Sequence, residues 1–322
     1  MNMERDIRSH LEETIIPLIA EKYPEVAADM TIQVMGSYGL GLQDDISDLD
    51  VSIMLNDALW QSQGGHVQLL LNQLPRFAPR EGHDEFMVQR ISALKPLTCF
   101  LQDKSDTPWN ELTSDESIER IYGVREQLVV RDPHEIFASI RKATDPKQTP
   151  EWFWKKLLLP KLDELFWERS NLEHAVQRGK ILEATIITAS FLEIALRIGF
   201  IVNRQYYPPR KHMRWAFAKL PSPASEILST VDVILTSPDW QKKRTQVDAI
   251  AHRYIRHIRE HSLLPEIDFT TASLEHEIMW AGRHQAWSNP NWRDRIASCE
   301  EKSRRAGYDP KHFWIWHQWD WQ

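Results

Sequence analysis

Asp48 and Asp50 stand two residues apart just before the apolar run Val51 to Leu55, a short loop after the Gly36-Ser37 pair that closes a first apolar run, Thr31 to Met35. In an extended strand, side chains two apart point to the same face. Asp48 and Asp50 are therefore expected to aim at one spot, with Leu49 and Val51 buried behind them. Crowded carboxylates repel, and the pair is costly unless a cation sits between them. A hard cation such as Mg²⁺ is commonly held by one or two carboxylates together with phosphate oxygens. Gly36 lets the backbone come close to a ligand, and Ser37 offers a hydroxyl and an amide to a phosphate.

A second group of donors and aromatics runs from Asn203 to His212, after the apolar stretch 180–202. Arg210 and Lys211 at a cleft edge would neutralise triphosphate charge. Tyr206 or Tyr207 would stack on a base or sugar. The alternative is a solvated turn whose basic residues complement the preceding helix C-terminus. Glu193 and Arg197, four apart in the same apolar stretch, are spaced for an intrahelical ion pair. His257 and His261 repeat that spacing, which suits a metal pair or an ordinary surface helix.

The set Gly36, Ser37, Asp48 and Asp50 resembles the signature of the DNA polymerase β-like nucleotidyltransferase superfamily. Chain length and a helical second half are most similar to aminoglycoside adenylyltransferase-like proteins and their uncharacterised relatives. The resemblance implies Mg²⁺-dependent transfer of a nucleoside monophosphate, AMP from ATP, to a hydroxyl of a small-molecule acceptor. Asp48 and Asp50 would bind metal, and Gly36 and Ser37 the β- and γ-phosphates. Glu85 would be the third metal-binding carboxylate and general base, with Asp84 as the fallback and a plain surface-strand residue as the alternative. Lys211 would steady the departing pyrophosphate, beside Arg210 and Tyr206 as further nucleotide contacts. Two other outcomes stay open: nucleotidylation of a protein or RNA in a toxin–antitoxin-type system, and a non-catalytic nucleotide-binding relative.

These residues need elements to hold them. Helical spacing over Met3 to Tyr23 ends at Tyr23-Pro24. Strands are expected at 31–36, 48–55 and 85–91, with a turn-rich 78–84 before the last. Asp57 would cap a helix from about Ala58 to Leu74 across Gly64-Gly65. Asp115 to Tyr122 and Asp132 to Arg141 read as helices, with a strand-like piece at 127–131 between them. The segment 144–150, with two prolines, is the linker. Helices follow at about 151–177, 180–203, 210–219, 223–235, 239–262, 270–285 and 290–306, with Gly179 as a C-cap. The expected architecture is α+β: a small mixed-sheet nucleotidyltransferase-like domain over 1–143, then an all-helical, Trp-rich domain over 144–322, with the site in the cleft between them.

Composition narrows the partners. The 322 residues carry a net charge of −7, which argues against bulk nucleic-acid binding. The two cysteines, Cys99 and Cys299, imply neither a disulfide framework nor a zinc site, and Cys99 reads as core. A polar N-terminus and the lack of a membrane-length apolar run point to a cytoplasmic protein without membrane contact. The 14 tryptophans crowd toward the second half, from Trp280 to Trp321 above all, and read as packing first and ligand platform second.

Overall fold

The computed structural model describes residues 3–44, 46–74, 77, 84–94, 97–102, 109 and 112–264. The helices expected at 270–285 and 290–306, Cys299, the turn residues 78–83 and the tryptophans beyond Trp240 lie outside the described residues. Two compact units emerge. The first takes in the described residues up to Trp154 and adds Arg204–Ala216; the second holds Lys155–Asn203 and the described residues from Phe217 onward.

The first unit is built on four strands, β1 (Thr31–Val34), β2 (Asp50–Leu55), β3 (Glu85–Arg90) and β4 (Val129–Arg131). Their order is β3-β2-β1-β4, with β1 antiparallel to both β2 and β4, and β2 parallel to β3. A parallel pair needs a crossover, and the helical segment from Asp57 to Leu71 supplies it. β1 is buried along its whole length and β2 from Val51 onward, as expected of central strands covered on both faces.

On one face Ile32, Val34, Val51, Ile53 and Leu55 form a single core with Ile7, Leu11, Ile15 and Ile19 of the N-terminal helix, and with Val67, Leu70 and Leu71 of the crossover. The spacing of four between Ile7, Leu11, Ile15 and Ile19 keeps them on one helical stripe. On the other face Gln33 Nε2 donates to the Gly123 carbonyl at 3.1 Å, which ties β1 to the helix Asp115–Glu126. Ser114 caps that helix through the Ser117 amide.

Several elements begin or end elsewhere than expected. Pro24 stops the first helix but also opens the next, Pro24–Asp29, because a proline at the first helical position forfeits no hydrogen bond. Asn56, not Asp57, caps the crossover, its Oδ1 accepting from the Leu59 amide at 3.0 Å. Cys99 is only half-buried at the start of the short helix Cys99–Gln102. Trp109 and Trp154 are buried in a run of ring contacts that links Phe100, Trp109, Phe153, Trp154 and Tyr206, so these two tryptophans serve packing.

The described part of the second unit is all helical: most of Glu151–Gln177, then Ile181–Val202, Ala224–Thr236 and Trp240–Glu260. Gly179, at φ +65°, ends the first of these. The Lys180 amide reaches the Ala175 carbonyl and the Gly179 amide reaches Val176, the paired bonds of a left-handed C-cap. Arg169 to Asp248 at 2.5 Å and Arg244 to Glu173 at 2.6 Å tie Glu151–Gln177 to Trp240–Glu260. Arg197 pairs with Glu193 at 2.8 Å as the spacing predicted. Against the expectation of no membrane-length apolar run, Ile181–Val202 is the one described helix long and apolar enough to cross a membrane, and 61% of its most apolar window is buried. Its Gly199 sits under the Phe217 ring, the face of a packed core helix.

Gly65 gives a stability prediction. It is an exposed helical residue, and a Cβ there would meet nothing within 4 Å. Gly65→Ala should stabilise the protein by about 1 kcal/mol, since alanine restricts the unfolded chain and fits the helix. Urea unfolding checks this, and a loss of stability would show that the crossover is not the helix described.

Candidate active site

The turn Gly36–Gly39 brings the acids and the backbone together. The Met35 amide donates to the Asp50 carbonyl at 2.7 Å and so continues the β1–β2 pairing one step further. The chain then turns at Gly36, where φ is +59°. A Cβ at Gly36 would lie 2.8 Å from Asp50 Oδ2, so both the backbone angle and the space require glycine. Ser37 follows half-buried, its carbonyl accepting from the Leu42 amide at 2.8 Å. That bond fixes the return of the loop toward Asp48.

Leu49 is fully buried, Asp50 is half-buried and Asp48 is exposed, which is the alternation expected of an extended segment. β3 brings a further acid alongside. Asp50 pairs in register with Glu85, and the Glu85 amide donates to the Leu49 carbonyl at 2.9 Å. Asp84 is next to it, its carboxylate accepting from the Phe77 amide. The Asp50 carboxyl is held above its ordinary range, first by burial. Lys211 draws it down, and Glu85, Asp48 and Asp84 push it up in turn. Lys211 thus belongs to the same electrostatic cluster as the four acids, although it lies far along the chain. The cause is that Arg204–Ala216, expected in the helical half, belongs to the first unit.

The donors of this cluster are carboxylates, a set suited to a hard cation. Among the described residues no three His, Cys, Asp or Glu gather into a ready cage for a metal. A cation would be held by Asp48 and Asp50, its remaining positions left to water and phosphate, as Mg²⁺ prefers.

The other expected nucleotide contacts fall differently. Tyr206 is buried, its hydroxyl 2.7 Å from Thr149 Oγ1 and its ring 5.1 Å from that of Trp154. Burial pushes its phenol well above the ordinary range. Tyr207 is buried as well and donates to Asp115 at 2.8 Å. Both rings are therefore committed to packing, and the expectation that Tyr206 forms a stacking platform is corrected. Arg210 is exposed at the start of the helix Arg210–Phe217 and is not among the charges that shift Asp50. His212, one step beyond Lys211, is buried, and burial and then Lys211 lower its imidazole from the ordinary range. His257 and His261 stack at 4.1 Å between ring centroids, His261 Nδ1 lying 2.9 Å from the His257 carbonyl at the helix end. This is local capping geometry.

Gly39 is a residue that spacing alone did not single out. A Cβ there would fall 2.1 Å from the Val34 carbonyl oxygen, so the turn lies directly on β1.

Comparison with known proteins adds three findings. The profile of a domain of unknown function, DUF4037, matches residues 115–215. No curated protein matches the chain. Among solved structures, a nucleotidyltransferase-like protein from Exiguobacterium sibiricum 255-15 is similar at 11% identity and a TM-score of 0.40, over 91% of this chain and 92% of that one.

Proposed function

We propose that the chain is a nucleotidyltransferase that moves a nucleoside monophosphate, AMP from ATP with Mg²⁺, to a hydroxyl of a small molecule. The observation that carries this reading is the half-buried Asp50 carboxylate, packed against the Gly36 turn and surrounded by Asp48, Glu85 and Lys211. Burying a carboxylate among other carboxylates costs stability without improving packing, which is common where a site is built for a ligand. Asp48 and Asp50 would hold Mg²⁺, which when bound supplies charge neutralisation for the polyphosphate.

The chain's own residues divide the remaining work. Gly36 and Ser37 present backbone and hydroxyl to phosphate oxygens, and the glycine keeps side-chain atoms out of the approach. Lys211 adds a positive charge where charge builds on the leaving pyrophosphate, the place where stabilisation lowers the barrier. Glu85, exposed beside Asp50, accepts the proton of the attacking hydroxyl.

A thermal-shift screen of the four nucleoside triphosphates with Mg²⁺ tests the reading. At least one should raise the melting temperature, and Lys211→Ala should weaken its apparent affinity by about 10-fold to 100-fold, the worth of one charge-assisted contact. Labelled ATP added to a cell lysate should then mark small molecules. Label on a protein band would assign a protein acceptor instead, and no response to any triphosphate would defeat the proposal.

A further inference from the structure

The first unit has a hollow of about 470 Å³ that none of Asp48, Asp50, Asp84 and Glu85 lines, between the N-terminal helix, the end of the Gly36–Gly39 turn with the loop after it, and the end of the helix Asp115–Glu126. That volume is in the range of small-molecule sites. Three arginines line it, Arg8, Arg125 and Arg141, against one acid, Glu126.

How these arginines are held matters more than their number. Arg141 Nε donates to the Val124 carbonyl at 2.8 Å and Nη2 to that of Gln127 at 2.7 Å. Arg125 Nη1 donates to the Arg141 carbonyl at 2.6 Å, with Thr144 Oγ1 at 3.4 Å. These acceptors are neutral. They fix both guanidinium groups in place, and neither guanidinium makes an ion pair among the described residues. Arg8 differs, since it meets the Val129 and Val130 carbonyls and lies 3.6 Å from Glu12. The two interior arginines are also close enough to repel. Burial lowers Arg141 from its ordinary range, Glu126 opposes this, Arg125 adds to it and Asp132 opposes it again.

Gln43 lines the hollow, and its Oε1 is shut off from solvent with no hydrogen-bond partner. A buried amide end left unpaired is costly. With its oxygen shut off, the polar group that Gln43 can offer a ligand is the amide N–H₂, a donor. Pre-fixed guanidinium groups and an amide donor lining one hollow form a donor set suited to an acceptor-only ligand, and planar guanidinium matches the oxygens of phosphate or carboxylate.

We infer that this hollow is an anion site, separate from the acidic cluster, for a small molecule carrying a phosphate or carboxylate group held by Arg125, Arg141 and Gln43. The inference stands whether or not the acidic cluster transfers nucleotides.

The test uses the full chain, with inorganic phosphate and citrate as probes at constant ionic strength and chloride as the reference. One or both should raise the melting temperature saturably. Phosphate alone would identify a phosphorylated ligand, and citrate alone a carboxylated one. Arg125→Gln should weaken the response at least about 10-fold, as expected for one charge-assisted contact. Because Arg125 also helps hold Arg141, Gln43→Glu provides a second arm. It leaves those bonds intact and places a negative charge in the wall, so it should abolish the response. Lys211→Ala should keep it. Absence of a saturable rise, or a rise that survives both Arg125→Gln and Gln43→Glu, overturns the inference. So does a rise lost in Lys211→Ala, which would place the anion at the acidic cluster.

Discussion

Asp50→Asn should reduce nucleotidyl transfer by about 10³-fold or more while making the protein more stable at neutral pH. On the proposed function, the loss follows from removing a charge that would hold the metal, where electrostatic stabilisation contributes most. The gain follows from linkage. Asp50 has its folded pKa above the ordinary value of 3.8, chiefly through burial. Between that value and the raised one, the folded protein binds more protons than the unfolded chain, so stability falls as pH rises through the window and stays lower above it. Asparagine fills the same space and carries no such penalty. The advantage of the variant should thus be absent below about pH 4, grow as pH rises and then level off. Unfolding curves of the two proteins across this range, beside a labelled-ATP assay, measure both effects. A variant that is inactive because it does not fold would show that Asp50 is structural. Equal stability at every pH would mean that the carboxylate is not buried as described.

The clustering of these acids was readable from the sequence because its pattern is local. Asp48, Leu49, Asp50 and Val51 alternate polar and apolar, and a period of two is a local property that survives without knowledge of the fold. The Gly36 turn was readable for a similar reason, since a left-handed angle beside a close carboxylate leaves no choice of residue. The four-residue spacing of Glu193 and Arg197 and the glycine stop at Gly179 are equally local. What could not be read depends on partners distant in sequence. Tyr206 is withdrawn from any ligand by Thr149, 57 residues away, and Tyr207 by Asp115, 92 residues away. No periodicity announces that Arg204–Ala216 returns to the first unit and brings Lys211 to Asp50. The arginine-lined hollow draws on the N-terminal helix, a loop and three later elements, and each of its arginines is unremarkable by itself. Charges that look solvated along the chain become a site only once tertiary contacts collect them.

Gly39 shows how tightly the turn is tied to the sheet, and Gly39→Ala should be the most destabilising alanine substitution among the described glycines of the first unit. The added methyl would stand 2.1 Å from the Val34 carbonyl oxygen, 2.8 Å from its carbon and 3.3 Å from Gln127 Cβ. The first two are backbone atoms of a fully buried strand and cannot rotate away. Relief requires lifting the turn off β1. That movement strains the bond from the Leu128 amide to the Gly39 carbonyl, 2.9 Å, which leads the chain into β4. It also draws Gly36 and Ser37 away from Asp50. A cost of about 3 kcal/mol is expected, at the upper end for overpacking a close-packed interior. Urea unfolding measures it, and on the proposed function triphosphate affinity should fall with it because the turn moves as one piece. The same change at Gly65 should have the opposite sign, since there the methyl meets open space. Were Gly39→Ala as stable as the parent, the turn could not rest on β1, and the support that holds Gly36 against the Asp50 carboxylate would be lost with it.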